Sequence, residues 1–259
     1  MNVLLTAAGA GSRFRDAGIA VPKPLIRVQG RELLLHTLAS FAFAPGDRLL
    51  LAVQRAHGVR ERLGPTLQRT YPALRLDWLE LDQLLPGQLA TAVAAVERCW
   101  ADQPALLAAP LLIHNCDTGF RWPAQAASGR QLQAEGAYGS MAVFEAEGEH
   151  WSFGRPDPAD PLLALEIAEK RRISNLASIG LYGFRSTARF LADGRHWLEH
   201  GTPVNGEHYV APLLNGALQR GERVLLPRIN GVRLYGTPPE LQSTFAISAE
   251  QLLAENRPR

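Results

Sequence analysis

The sequence predicts an α/β fold with a mixed, mostly parallel sheet, and three observations predict it. Short apolar strands alternate with helical patterns through the first half, which is how a parallel sheet with crossover helices reads. After Tyr138 the character changes to longer β-type runs parted by loops rich in Gly, Pro and Asp, as on a mixed sheet edge. The chain has 259 residues, 46% of them hydrophobic, enough to bury one large core. A single domain over residues 1–259 is therefore expected.

The elements follow in order. The apolar run Val3-Leu4-Leu5 opens a buried strand at 3–7, and leucines around His36 mark a helix at 32–41. A strand at 48–53, a helix at 59–70, a strand at 74–79 and a helix at 89–100 continue the alternation,. A strand at 111–115 then runs into Cys116-Asp117-Thr118. Strands are expected at 139–145, 162–169 and 177–184. Helices are expected at 187–199, 207–220 and 239–256, with Gly201 and Gly221 as stops,. No internal repeat or low-complexity tract interrupts the chain. The change of character divides the expected domain into a first part, 1–135, and a second, 136–259.

The densest chemistry lies between residues 7 and 24: Ala7-Ala8-Gly9-Ala10-Gly11-Ser12-Arg13-Phe14, then Pro22-Lys23-Pro24. Glycines let backbone N–H groups approach phosphate oxygens, while Arg13 and Lys23 bring the positive charge a polyphosphate needs. Two better-known glycine loops do not fit. A dinucleotide fold needs a third glycine where Phe14 stands, and a Walker loop needs Lys-Ser/Thr after its last glycine. Two glycines alone would make only a tight turn; the arginine and Pro-Lys-Pro turn the reading towards a nucleoside triphosphate.

Asp117 sits just past a strand's C-terminal end, where ligands gather on open α/β sheets. It is a candidate for Mg²⁺, which on a nucleotide takes one or two carboxylates and fills its other positions with phosphate oxygens and water. An Asx-turn or a helix cap is the plainer alternative. Glu169-Lys170 pairs a carboxylate suited to sugar hydroxyls with an ammonium suited to phosphate. His114 reads as a satisfied histidine on a buried strand. His36, His57, His150, His196, His200 and His208 have no zinc spacing,.

Composition excludes several classes. The formal charge is only +2, with no lysine-rich tract, so neither a nucleic-acid surface nor a membrane surface is expected. No apolar stretch reaches membrane-span length. The N-terminus shows no signal-peptide pattern, so a cytoplasmic location is expected, and Cys99 and Cys116 suit reduced thiols there.

Together these stretches resemble the sugar-1-phosphate nucleotidyltransferases, the pyrophosphorylases that make nucleotide sugars. The likeness rests on the Gly9 to Arg13 loop with Pro22-Lys23-Pro24, Gln83 with Pro86-Gly87, Asn115-Cys116-Asp117, and Glu169-Lys170 leading to Ala177 and Gly180-Leu181-Tyr182. A fifth stretch, from Gly206-Glu207-His208-Tyr209 to Pro212, is similar to the branch associated with capsular and lipopolysaccharide biosynthesis. The resemblance implies a three-layer α/β/α nucleotidyltransferase fold of the GT-A-like kind. It further implies that Ala7, Ala8, Gly9, Gly11, Ser12, Gln83 and Gly87 bind an NTP, and that Arg13 and Lys23 stabilise the leaving pyrophosphate. Gly154, Glu169 and Lys170 would then meet a sugar phosphate, with Asp117 holding Mg²⁺, so that residues 1–135 would form the nucleotide-binding part and 136–259 the sugar-phosphate-binding part. A phosphate dianion needs no general base, so no Ser-His-Asp set is called for.

One departure stands out. Related enzymes carry a second metal aspartate in a segment ending Asp-x-Gly-Thr, whereas here Leu234 stands at that place in Leu234-Tyr235-Gly236-Thr237. Either one carboxylate suffices, or Glu207 substitutes, or the metal site is weakened and the protein is a nucleotide-binding homologue without full turnover. Two further alternatives are cytidylyl transfer to an alcohol phosphate such as choline phosphate, and a related-fold glycosyltransferase. The latter usually wants Asp-x-Asp where this chain has Asn115-Cys116-Asp117. Base, sugar and homo-oligomeric state are not legible in the sequence.

Overall fold

The computed structural model describes residues 1–122 and 136–257; the expected division of the chain at residue 135 lies outside the described residues. In chain order the first half holds β1 (Asn2–Ala7), α1 (Ser12–Asp16), a 3₁₀ turn (Lys23–Leu25), β2 (Arg27–Val28), β3 (Arg31–Glu32), α2 (Leu33–Leu38) and β4 (Arg48–Gln54). Then come α3 (Val59–Thr70), β5 (Arg75–Leu81), α4 (Gln88–Trp100), α5 (Pro104–Ala108), β6 (Leu111–Asn115) and β7 (Thr118–Arg121). The second half holds β8 (Gly139–Glu145), β9 (Ser152–Pro156), β10 (Ala164–Glu169), β11 (Leu176–Phe184), α6 (Thr187–His200) and α7 (Ala211–Gln219). It ends with β12 (Val224–Leu225), β13 (Asn230–Leu234), α8 (Pro238–Phe245) and α9 (Ala249–Glu255).

Strands from both halves share one mixed sheet, in the order β10-β9-β11-β6-β1-β4-β5, with β8 also on β11 and β12 on β8. The stretch β6-β1-β4-β5 is wholly parallel, and β11 enters antiparallel to β6. Side chains of β1 alternate between two cores. Leu4 joins the face covered by α4, α6 and α7, while Val3, Leu5 and Ala7 join the face covered by α2 and α3. These are the three layers α/β/α, and their strands read as apolar runs because both faces are buried. Val59, Leu63 and Leu67 on α3, and Leu89, Val93, Val96 and Trp100 on α4, are the buried stripes that helical spacing predicts,.

Two helices differ from expectation. The run 239–256 is two helices: Ala246 adopts the left-handed conformation (φ 50°, ψ 47°), and Ser248 starts α9 with a capping box to Gln251,. The run expected from residue 207 becomes helical only at Ala211. Before it, Asn205 and Gly206 take positive φ in a tight turn that pairs Val204 with Glu207,. A third, small core joins Phe14, Ile19, Ile26 and Val28 to Tyr235, Leu241, Phe245 and Leu252. The C-terminal helices thereby back the loop that follows β1.

Candidate active site

The glycine loop leaves the C-terminal end of the central strand β1. Gly11 takes φ 64° as the cap of α1, and its Cα face packs on Lys23, where an added Cβ would lie 3.5 Å from that residue's own Cβ. Arg15 donates to the Ala10 carbonyl and braces the loop, while buried Phe14 anchors it in the third core. Pro22 and Pro24 fix the bend that starts the 3₁₀ turn and aims Lys23 inward,. The cavity so formed, about 390 Å³, is lined by Ala7, Gly9, Gly11, Ser12, Arg13, Lys23, Asn115, Asp117, Glu207 and Gly236 among others. Nearly every residue expected at the triphosphate is thus brought together. Ala8 and Gly87 line a second cavity of about 420 Å³, which shares Thr6, Gly9, Ala10, Asn115, Asp117 and Glu207 with the first.

Asp117 is neither a helix cap nor a simple Asx-turn. Its Oδ2 accepts from Lys23 Nζ at 2.5 Å, and Lys23 also donates to the Gly236 carbonyl at 3.2 Å. Burial opposes ionisation of Asp117, yet the charge and hydrogen bond of Lys23 outweigh it and hold the carboxyl below the usual range,. Burial likewise opposes the Lys23 cation, and Asp117 reverses this, raising the ammonium above its ordinary value; Arg13 pulls the other way. The Cys116 thiol is pushed up to about 12, chiefly by burial, with the Lys23 charge opposing, and so stays protonated. His114 is fully buried between the Gly180 and Thr118 carbonyls, as its strand position predicts.

The second carboxylate is not where the sequence pattern points. Leu234 pairs with Thr118 on the β13–β7 ribbon, and the residue facing Asp117 is Gly236. A Cβ there would lie 3.1 Å from Asp117 Oδ2 and 3.2 Å from Glu240 Oε2. Glu240, in the first turn of α8, is therefore the acidic neighbour that the spacing did not reveal. Among the described residues no group of three or more His, Cys, Asp or Glu side chains gathers to hold a metal. The donor set nevertheless fits a hard cation carried by phosphates: Asp117 is accompanied by Asn115, whose buried Oδ1 has no partner,.

The second half of the cleft is built by a clamp. His208 donates from its N–H to the Pro86 carbonyl and accepts from Leu89 N–H, each at 2.9 Å. Gly87, at φ 100°, presses so closely on this backbone that a Cβ would lie 2.5 Å from His208 O. The clamp sets Glu207 and Tyr209 into the cavity beside Leu84, Gln88 and Thr91. Tyr209 donates to Glu207 Oε2 at 2.7 Å and accepts from Lys170 Nζ at 2.5 Å. Burial and the Glu207 bond hold its phenol far above the usual range. Lys170 itself takes φ 50°, a strained setting for a side chain and one found at ligand sites. Glu169 accepts from Ser152 Oγ; burial raises its pKa, with the Ser152 bond and Lys170 opposing.

Glu169 and Lys170 line neither cavity and reach the second through the Lys170–Tyr209 bond; Gln83 and Gly154 fall elsewhere. Gln83 is exposed and lines neither cavity; the glutamine in the cleft is Gln88, which donates to Thr6 Oγ1 at 3.1 Å. Gly154 serves packing, since a Cβ there would meet Leu226 at 2.7 Å. Tyr209, Gln88 and Glu240 carry no motif signature, although Tyr209 lies within the fifth stretch of the resemblance.

No curated protein matches the chain significantly. Among solved structures, a nucleoside-diphosphate-sugar pyrophosphorylase from Vibrio cholerae superposes with a TM-score of 0.82 at 26% identity, covering 95% of this chain and 100% of the other. A UDP-glucose pyrophosphorylase complexed with UDP-glucose gives 0.72 at 14%, covering 95% and 97%. The inositol-1-phosphate CTP transferase from T. maritima gives 0.68 at 16%, covering 98% and 95%. The last two likenesses show the fold alone. Residues 3–182 match the MobA-like NTP transferase domain, a span from the first residue of the β1 core to Tyr182 beside Glu169. With the glycine loop, Lys23 and Asp117 assembled at the end of β1 and more than half of the chain matched, the chain belongs to the MobA-like NTP transferase family.

Proposed function

We propose that this nucleotidyltransferase joins an NTP to a sugar 1-phosphate, or a comparable small phosphate, releasing pyrophosphate and supplying a nucleotide sugar for surface-polysaccharide synthesis such as capsule or lipopolysaccharide. One observation carries the reading. The triphosphate cavity and the cavity bearing Glu207 and Tyr209 share six residues, Asp117 among them, so the two substrates would meet beside that carboxylate.

In the reaction a phosphate oxygen of the acceptor attacks the α-phosphorus in line, a new P–O bond forms, and the bond to pyrophosphate breaks with its electron pair. The nucleophile is already anionic near neutral pH, so positioning and charge supply the catalysis. Loop amides after β1 would hold the phosphates, and Arg13 and Lys23 would neutralise charge moving onto pyrophosphate. Asp117, with Asn115 Oδ1 beside it, would hold Mg²⁺, which supplies further charge neutralisation. On the acceptor side Glu169 and Glu207 offer oxygens to hydroxyls and Lys170 offers its ammonium to phosphate. The Tyr209 hydroxyl accepts from Lys170 Nζ and so keeps that ammonium on the acceptor side, where it suits a phosphate.

Incubation with Mg²⁺, each NTP and a panel of sugar phosphates, choline phosphate included, should release pyrophosphate with at least one sugar phosphate. No release across the panel would sink the proposal, and release with choline phosphate alone would redirect it.

A further inference from the structure

The chain contains two lysines against 25 arginines, and each lies in or beside one of the two adjoining cavities. Lys23 lines the triphosphate cavity. Lys170 reaches Tyr209, which lines the acceptor cavity. An ammonium is a compact point charge on a flexible stem, able to turn its donors onto a single phosphate oxygen, where a planar guanidinium demands a paired acceptor. A flexible stem is useful only if something limits its wandering before the ligand arrives.

Tyr209 has the geometry to do so. Its hydroxyl oxygen accepts from Nζ, which lies 4.6 Å from the ring centroid at the hydroxyl end, and its hydroxyl proton is spent on Glu207 Oε2. Each of the three groups thus has its role in the chain of hydrogen bonds fixed by the next. The segment is itself held from behind by the His208 backbone clamp on Pro86 and Leu89. We propose that Tyr209 is a positioning residue, which holds the Lys170 ammonium where the acceptor phosphate must bind and leaves the nucleotide half untouched. The role of the acceptor phosphate rests on the function proposed above; the contact itself does not.

The test compares Tyr209→Phe, which keeps the ring, with Tyr209→Ala. In ligand-free enzyme, acetic anhydride labelling followed by peptide mass spectrometry reads the amines at Met1, Lys23 and Lys170. Labelling of Lys170 should rise about threefold in Tyr209→Phe and about tenfold in Tyr209→Ala, with Lys23 unchanged as internal control. With the best sugar phosphate of the panel, Tyr209→Phe should raise the acceptor KM about tenfold while the NTP KM and kcat stay within about twofold. Unchanged Lys170 labelling would overturn the proposal, as would acceptor and NTP KM rising together. Should the wild-type enzyme turn over no acceptor, the proposed function fails, and labelling alone then decides whether Tyr209 holds the amine.

Discussion

Lys23 Nζ lies 2.5 Å from Asp117 Oδ2, so the cation assigned to the leaving pyrophosphate and the carboxylate assigned to the metal neutralise each other across the cavity. Both side chains retain some exposure, 17% and 22%. Their pairing is therefore worth less than that of fully buried ions, whose disruption costs ~3–5 kcal/mol. Lys23→Met should lower stability by about 1–3 kcal/mol and the rate by more than about a hundredfold. The sign with pH is definite. The depressed Asp117 pKa contributes stability that is present above the ordinary value of 3.8 and lost as pH falls through the lower folded value,. The raised Lys23 pKa contributes stability that is present below 10.5 and lost as pH rises through the higher folded value,. In Lys23→Met the burial that opposes Asp117 ionisation is countered only by the lesser influences of His114 and Thr118, so this variant should gain stability relative to wild type as pH is lowered from neutral. Thermal melts across pH check this; a pH-independent difference would show that the pair is not coupled in solution.

Arg13 is the contrasting case. It is exposed, lines the cavity, and among the described residues has no hydrogen bond or ion pair, yet its charge is felt at Lys23. Asp117 is already committed to Lys23, so the Arg13 charge is left to be neutralised when a polyanion arrives. Arg13→Ala should lower kcat by about 10²–10³-fold with a melting temperature within about 1 °C of wild type. Parallel loss of folding and activity would remove Arg13 from the leaving-group role.

Much of this architecture was legible in the sequence, for identifiable reasons. Strands such as β6 and β8 lie buried on both faces, so each is a plain apolar run bounded by Gly, Pro or Asn. The phosphate loop was legible because backbone recognition demands glycine. The helix break at Ala246 was not, because a left-handed alanine leaves no glycine to mark it. Nor was the ribbon β7–β13, where the core imposes little pattern on short strands. The acceptor side suffered most: reading residues 207–210 as helix hid the clamp that sets Tyr209 against Lys170. Gln83 and Gly154 look apt by type, but one lies out in solvent and the other against Leu226. Glu240 nears Asp117 only because α8 turns back behind Gly236, which is tertiary information.

Glu169 should give an acid limb to the proposed activity. Its folded pKa is raised by burial, with Ser152 and Lys170 opposing, so it protonates at a higher pH than an ordinary carboxyl. In the proposed role of accepting from sugar hydroxyls it is strongest when ionised, with both oxygens free to accept. The acceptor KM should therefore rise as pH falls through that raised value, while the NTP KM stays level. Glu169→Gln should flatten the limb, leaving a high acceptor KM at every pH. An unchanged limb in the variant would assign the titration to another group.

The metal requirement should separate three carboxylates. Asp117→Asn should raise the Mg²⁺ concentration for half-maximal activity about tenfold or more, since one hard ligand is lost. Glu207 is committed to Tyr209, so Glu207→Gln should move the acceptor KM and leave the Mg²⁺ dependence alone. Glu240 has no side-chain partner among the described residues and borders Asp117 across Gly236. Glu240→Gln should consequently raise the Mg²⁺ requirement severalfold, less than Asp117→Asn does. Calorimetric titration of Mg²⁺ with a bound NTP measures all three without turnover. A large effect from Glu207 and none from Glu240 would reverse their assignments.

Gly87 tests the clamp on which the acceptor half depends. At φ 100° an L side chain is strained by about 1–3 kcal/mol, and here the added methyl would also lie 2.5 Å from His208 O and 2.6 Å from its N. Both neighbours are backbone, held by bonds to Pro86 and Leu89, so the clash is relieved only by moving the hairpin that carries Glu207 and Tyr209. Gly87→Ala should lower stability by about 3 kcal/mol in all. Because the displaced turn carries Glu207 and Tyr209, which the proposed function places at the acceptor, while the glycine loop after β1 is anchored separately through Phe14, the acceptor KM should rise much more than the NTP KM. Denaturant unfolding and steady-state kinetics on the same preparation read both effects. A stable variant with an unchanged acceptor KM would mean that the close approach of Gly87 to His208 does not position the acceptor site.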